Sequence, residues 1–375
     1  MHMYLKTLTR IFWSILLPAV LAQPALAEWV NTGELSGETI IYSLLEASDG
    51  AIYAGAWPGG NVFKTTNGGV IWANMADLPN ASVVASLLQS PDGAIYAACC
   101  VWPNKAAVFK SSDGGDSWIA AELVGATGMD SLLLASDGSL YAGATCQMQA
   151  AIYKSINSGD SWTKIAELAG AVYVRSLLEA DDGILYAGTG INGAVFRSTN
   201  GGDNWTNTGV LSGAECIQSL VQTNDDAIYA GTTPNGDIFK STDGGNFWNN
   251  TADLTGAKSV LSLLEAFDGS IYAGTFSNGD VFRSIDGGNI WTTTGEFPDV
   301  YGVECLLQTS TGSIYAGTFH TGDVFVYILP CKADFDGDRD VDGSDLAFFA
   351  SDGGGGVTLE EFAADFGTTD CPAGI

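Results

Sequence analysis

Short apolar runs separated by turn-forming pairs fill the chain from residue 40 to about residue 328, and none has helical spacing. The runs recur in a fixed order. The first reads SLLE or a close variant, an Asp-Gly turn follows, and then come IYAGT and VFKS. A polar eight-residue turn closes the series on a tryptophan, where a fourth run begins. The tyrosines of the second run are Tyr53, Tyr96, Tyr141, Tyr186, Tyr229, Tyr272 and Tyr315, spaced 43, 45, 45, 43, 43 and 43 residues apart. Asp-Gly between apolar runs marks a hairpin, because both residues tolerate positive φ. Four short β-type runs per repeat, with a period in the forties, predict an all-β chain built as a propeller of four-stranded blades.

The chain ends set the expected blade count. VFK-type runs occur seven times, at Phe63, Phe109, Tyr153, Phe196, Phe239, Phe282 and Phe325, but the last lacks the eight-residue turn and its tryptophan. The segment EWVNTGEL at 28–35 resembles WTNTGVL from Trp205 and WTTTGEF from Trp291. The sequence therefore predicts a seven-bladed propeller over 28–330, whose last blade is completed by the N-terminal strand. Such closure leaves no open sheet edge where the first and last blades meet.

The turns read TTNGGVIW, SSDGGDSW, SINSGDSW, STNGGDNW, STDGGNFW and SIDGGNIW. They resemble the Asp box, S-x-D-x-G-x-x-W, of the bacterial neuraminidase (BNR) repeat family. In that family the box joins the third and fourth strands of a blade. The chemistry suits the role: Asp or Asn can accept backbone N–H groups inside the turn, the glycines permit positive φ, and the tryptophan can bury between sheets. A feature recurring once per repeat reads as scaffold, not as a site. The family includes sialidases, xyloglucanases, sortilin-type receptors and photosystem assembly factors, so the resemblance is specific for fold and open for function.

Residues 1–27 have the layout of a secretory signal peptide: Lys6 and Arg10, an apolar stretch from Ile11 to Ala22 broken by Pro18, and Ala25-Leu26-Ala27 before the expected start at Glu28. The alternative, a membrane anchor, is disfavoured by the short apolar stretch. The expected location is outside the cytoplasm: periplasm, cell surface or medium. Fourteen Lys and Arg against 43 Asp and Glu give a net charge of −29, and cleavage would remove two of the basic residues. That field repels nucleic acid and anionic membranes and attracts cations. With 46% hydrophobic residues the chain has ample core material. Seven cysteines are compatible with disulfides outside the cytoplasm. Cys100 and Cys146, on neighbouring blades, are expected to bridge, with Cys99 an alternative partner.

Function is less legible. Sialidases hold a substrate carboxylate with three arginines. Here Arg197 and Arg283 take the repeat position of Lys64, Lys110, Lys154 and Lys240, and Arg339 lies near the C-terminus. Only Arg175 stands outside the repeat, so no triad assembles. Glu46, Glu179 and Glu265 recur after SLL, and Glu215 and Glu304 lie near the start of the inner run, which reads as scaffold. The loops joining second and third runs vary most, and place Trp57, Trp102, Phe276, Phe319 and His320 on one rim, opposite the eight-residue turns. With Arg175 they are the candidate ligand-binding residues. No catalytic residue is assigned. The leading expectation is a secreted propeller that binds a glycan or an extracytoplasmic protein; the alternatives are a xyloglucanase-like glycoside hydrolase and an envelope assembly factor.

After Pro330 the composition changes. DFDGDRDVDGSD places Asp334, Asp336, Asp338, Asp340, Asp342 and Asp345 at positions 1, 3, 5, 7, 9 and 12 of an EF-hand-type loop, which points to calcium. Asp at position 12 and the following DLAFF are similar to a dockerin-type repeat, implying a cohesin-type partner. Arg339 replaces the usual Gly at position 6, and a second loop over 350–361 has few ligands. Cys331 and Cys371 bracket this tail, over 331–375, and are expected to form a disulfide.

Overall fold

A computed structural model of the chain describes residues 28–295, 297, 299–328, and 346, 347 and 349. The segment read as a signal peptide, the Asp334–Asp345 loop and the Cys331 and Cys371 pair lie outside the described residues. Residues 27–328 form one compact unit. Among the described residues, no helix is long and apolar enough to cross a membrane.

The compact unit is an all-β propeller. Its first sheet unit runs Ile40–Glu46, Ile52–Trp57, Asn61–Thr65 and Ala73–Asp77, each strand antiparallel to the next. The same order repeats along the chain from inner strands Ala81–Gln89, Gly128–Leu134, Tyr173–Glu179, Cys216–Gln222, Ser259–Glu265 and Gly302–Gln308. The N-terminal strand Glu28–Glu34 pairs antiparallel with Asp323–Ile328, from Glu28 opposite Ile328 to Glu34 opposite Asp323. The N-terminus thus supplies an outer strand to the last sheet unit, the pairing expected from EWVNTGEL.

Second strands are buried on both faces, which explains their small residues: Leu185–Gly190 is buried throughout. A Cβ on Gly188 would come within 2.7 Å of Ile217 Cγ2 on the neighbouring inner strand, so glycine is what lets the two sheets approach. The ring closes in the same way, because a Cβ on Gly317 would lie 2.8 Å from Ile41 Cγ2.

The recurring turns lock neighbouring sheets. In the second unit Ser111 Oγ accepts from the Gly115 N–H at 2.8 Å, Asp113 Oδ1 accepts from the Ser117 N–H at 2.9 Å, and Trp118 Nε1 donates to the Gly115 carbonyl at 2.9 Å. The hydroxyl of Tyr141 donates to the Gly201 carbonyl in the next unit's turn at 2.7 Å, and Tyr315 reaches back to Gly68 at 3.2 Å. Tyr272 has no such turn ahead of it and packs edge-on against Tyr327. Glu179 accepts the Ser136 backbone N–H and hydroxyl, and Glu46 does the same for Ser310. These repeated glutamates hold turns of adjacent sheets together.

One expectation fails. Cys100 and Cys146 are free thiols, as is Cys99. Cys100 lies four residues after its strand tyrosine and Cys146 five after its own, a one-residue offset that turns the side chains to opposite sheet faces. Cys100 Sγ lies 3.6 Å from the Met129 carbonyl, and Cys146 Sγ lies 2.8 Å from that of Gly125.

Candidate functional site

Every inner strand carries a register shift at the same place, just before its Ser-Leu or Cys-Leu pair. The residue that the shift leaves without a cross-strand partner is Tyr42, Ala85, Asp130, Arg175, Gln218, Leu261 or Glu304. A bulge residue is released from the alternation of its strand and can be aimed elsewhere. All seven line one axial cavity of about 280 Å³. Here the repeated scaffold presents seven unlike side chains to a common space.

Ion pairing organises part of this ring. Arg175 Nη1 donates to Asp130 Oδ1 at 2.9 Å, with the guanidinium 5.1 Å from the Tyr173 ring centre. The Arg175 Nε is buried without a hydrogen-bond partner. Gln218 Nε2 donates to Thr233 Oγ1 at 3.0 Å. Glu304 forms neither a salt bridge nor a hydrogen bond among the described residues. Its carboxyl is pushed up to about 7, chiefly by desolvation, which outweighs the opposing pull of Arg175; Asp130 adds a smaller upward push. Tyr42 is pushed up to about 12, chiefly by burial and then by Glu304. Burial also raises Asp130, against the pull of Arg175, and raises the thiol of Cys216.

The rim residues divide. Phe276 pairs with Gly302 on the strand that carries Glu304, and stacks edge-on with Phe319 at 5.3 Å. His320 is exposed and edge-on to Tyr301 at 4.9 Å. Trp57 is joined to this group through Thr39, whose N–H donates to the Trp57 carbonyl and whose carbonyl accepts from the His320 N–H. Trp102 stands apart, 71% exposed, over a groove of about 580 Å³ that also holds Trp118 and the Lys105–Glu122 ion pair. That groove is larger than the axial cavity, but its charges neutralise one another at its edge. Unpaired charge lies in the axial mouth.

Arg175 is therefore an axial residue on an inner strand, apart from the rim aromatics it was grouped with, while Lys64, Lys154 and Lys240 lie over the second-strand tyrosines. Tyr42, Asp130 and Glu304 were missed. Glu304 is not the counterpart of Glu215, which is exposed three residues before Gln218. The available signal was the residue immediately before Ser-Leu: Tyr, Ala, Asp, Arg, Gln, Leu and Glu in an otherwise repeated motif. Among the described residues no group of three or more His, Cys, Asp or Glu is placed to hold a metal ion.

The sheets and the axial cavity define a β-propeller with a polar central mouth. Residues 117–260, less than half of the chain, match the DUF6242 beta propeller domain. No curated protein matches the chain in sequence. Among solved structures, the chain is similar to a catalytically inactive virginiamycin B lyase from Staphylococcus aureus with quinupristin, at TM-score 0.68 and 15% identity over 81% of this chain and 99% of that one. It is also similar to YCF48 from Cyanidioschyzon merolae, at TM-score 0.61 and 17% identity over 80% of this chain and 98% of that one. A third similar structure is the GH74 xyloglucanase from Xanthomonas campestris, at TM-score 0.62 and 16% identity over 79% and 53% of the two chains. Identities this low establish the fold alone.

Proposed function

We propose that the chain is a secreted, seven-bladed propeller of the Asp-box type that works as a binding module, taking a glycan or protein partner on the face that carries the axial mouth and the Phe276–Phe319–His320 rim. The observation that carries this reading is the axial ring: seven unlike residues, one from each inner strand, that line one cavity. A scaffold position would repeat, as Ser43 and its equivalents do. YCF48 with a D1 peptide is a precedent for a partner on this fold, at TM-score 0.61. A hydrolase of glycosidic bonds needs two carboxyl groups free to act. In this ring Asp130 is committed to Arg175, which leaves Glu304 alone.

Capture from periplasm and culture fluid, together with a glycan array, tests the reading on the full chain and on an Arg175→Ala, Phe276→Ala, His320→Ala variant. Partners retained by the wild type and lost by the variant are expected. Release of reducing ends from a polysaccharide panel, or identical capture by both proteins, would overturn it.

A further inference from the structure

We propose that the axial mouth engages its ligand through a primary ammonium group carried on an apolar arm, with the ammonium seated against the Glu304 carboxylate. This deepens the binding reading above and rests on it.

Three observations lead to a cation. Arg175 and Asp130 neutralise one another at 2.9 Å, so Glu304 is the surplus charge of the ring. An ionised carboxylate held among protein atoms without a partner is costly, and a cation in the cavity relieves that cost directly. The chain as a whole carries −29, a field that concentrates cations at its mouth and turns anions away. An anionic ligand would meet the Glu304 carboxylate beside an arginine whose charge is already balanced by Asp130.

The apolar arm follows from what surrounds that carboxylate. The strand bearing Glu304 starts at Gly302, which Phe276 and Phe319 flank on the rim outside the cavity lining. Leu261 and the Tyr42 ring share the cavity with Glu304. An aromatic ring and an aliphatic side chain sharing a cavity with a carboxylate suit an ammonium on a hydrocarbon stem, through cation–π attraction and apolar burial together.

Binding should be linked to a proton. The groups facing Glu304 are Tyr42, Asp130 and Arg175, with Cys305 beside it in the chain and Cys216 beside Arg175. Burial raises the tyrosine and both thiols, which therefore stay protonated at neutral pH. Glu304, with its carboxyl near 7, is the group in the mouth that changes charge there. An alkylammonium keeps its charge throughout that window. Affinity should rise about tenfold from pH 6 to pH 8 as the carboxyl ionises.

The test uses the full chain and 2-phenylethylamine, followed by NMR shift titration at pH 6 and pH 8, with 3-phenylpropionate and glucosamine as comparison ligands. Saturable binding of the amine, about tenfold tighter at pH 8, is expected. Glu304→Gln should weaken it and abolish the pH dependence, whereas His320→Gln should preserve that dependence. Preferential binding of the carboxylate, or amine binding indifferent to Glu304→Gln, overturns the ammonium assignment. Equal binding of glucosamine overturns the apolar arm. If a partner is still captured by the loop face when the amine fails, this inference falls while the binding module stands.

Discussion

Replacing Glu304 by glutamine keeps the shape of the side chain and removes its charge, so it isolates what that charge costs the fold. The carboxyl ordinarily titrates near 4.5 and is pushed up to about 7 in the folded chain, mainly by desolvation. The folded state therefore holds this proton more tightly than the unfolded chain does. The stabilising effect of that proton is complete below about 4.5 and is lost as pH rises through about 7. At about 1.4 kcal/mol per pH unit, the displacement corresponds to about 3 kcal/mol at most, and water in the open mouth reduces it. A 300-residue unit unfolds with an entropy of about 0.6 kcal/mol/K, so the full effect is about 5 °C in Tm. Calorimetry on both proteins at pH 4, 6 and 8 should show coinciding Tm values at pH 4 and a more stable glutamine variant at pH 8. The other carboxylates cancel in the difference. A constant offset at all three pH values, or a less stable variant at pH 8, would refute the argument that Glu304 sits in the mouth as an uncompensated charge.

Two further outcomes test the architecture and the tail. Deleting residues 28–34 removes the partner of Asp323–Ile328 and takes Trp29 from its contacts with Phe297 and Tyr327 at 5.0 and 4.9 Å. Lower Tm and larger species on gel filtration are expected from the bared edge, and an unchanged monodisperse protein would contradict the closure. The spacing of Asp334 to Asp345 predicts that calcium binds the tail, so millimolar calcium should give a binding isotherm with the full chain that Asp334→Ala with Asp345→Ala abolishes. Absence of any isotherm in the wild type would remove the EF-hand assignment.

The repeat made the fold legible because each of its parts has a local cause. Tyr53 to Tyr315 announce the period, the glycines of each turn take positive φ, and Trp118, Trp205, Trp248 and Trp291 cap their own turns through the indole N–H. The Glu46 and Glu179 carboxylates are likewise scaffold, as repetition indicated, because each binds a neighbouring sheet's turn. The site was less legible for two reasons. Arg175 and Asp130 are 45 residues apart in sequence, and only the packing of consecutive sheets brings them within 2.9 Å. A strand bulge also shifts later residues by one position relative to the partner strand, so alternation alone misassigns what faces the axis. The same sensitivity to single positions undid the Cys100–Cys146 pairing.

The bulge also explains why the axial residues are free to differ between sheets. On either side of it, Ile41 and all of its equivalents except Met129 are pinned by the glycine of the neighbouring second strand, and Ser43 Oγ accepts the Leu87 N–H at 2.9 Å. Substitution at those positions would disturb the contact between sheets. Tyr42, between them, is opposed by no residue on its own sheet and meets mainly the axial space. The fold therefore places little packing constraint on residue 42 and its six counterparts. Side chains as different as Ala85, Arg175 and Glu304 can occupy one ring without altering the scaffold that holds it. The chemistry of the mouth is thus separable from the stability of the sheets, except where, as at Glu304, a charge is left without a partner.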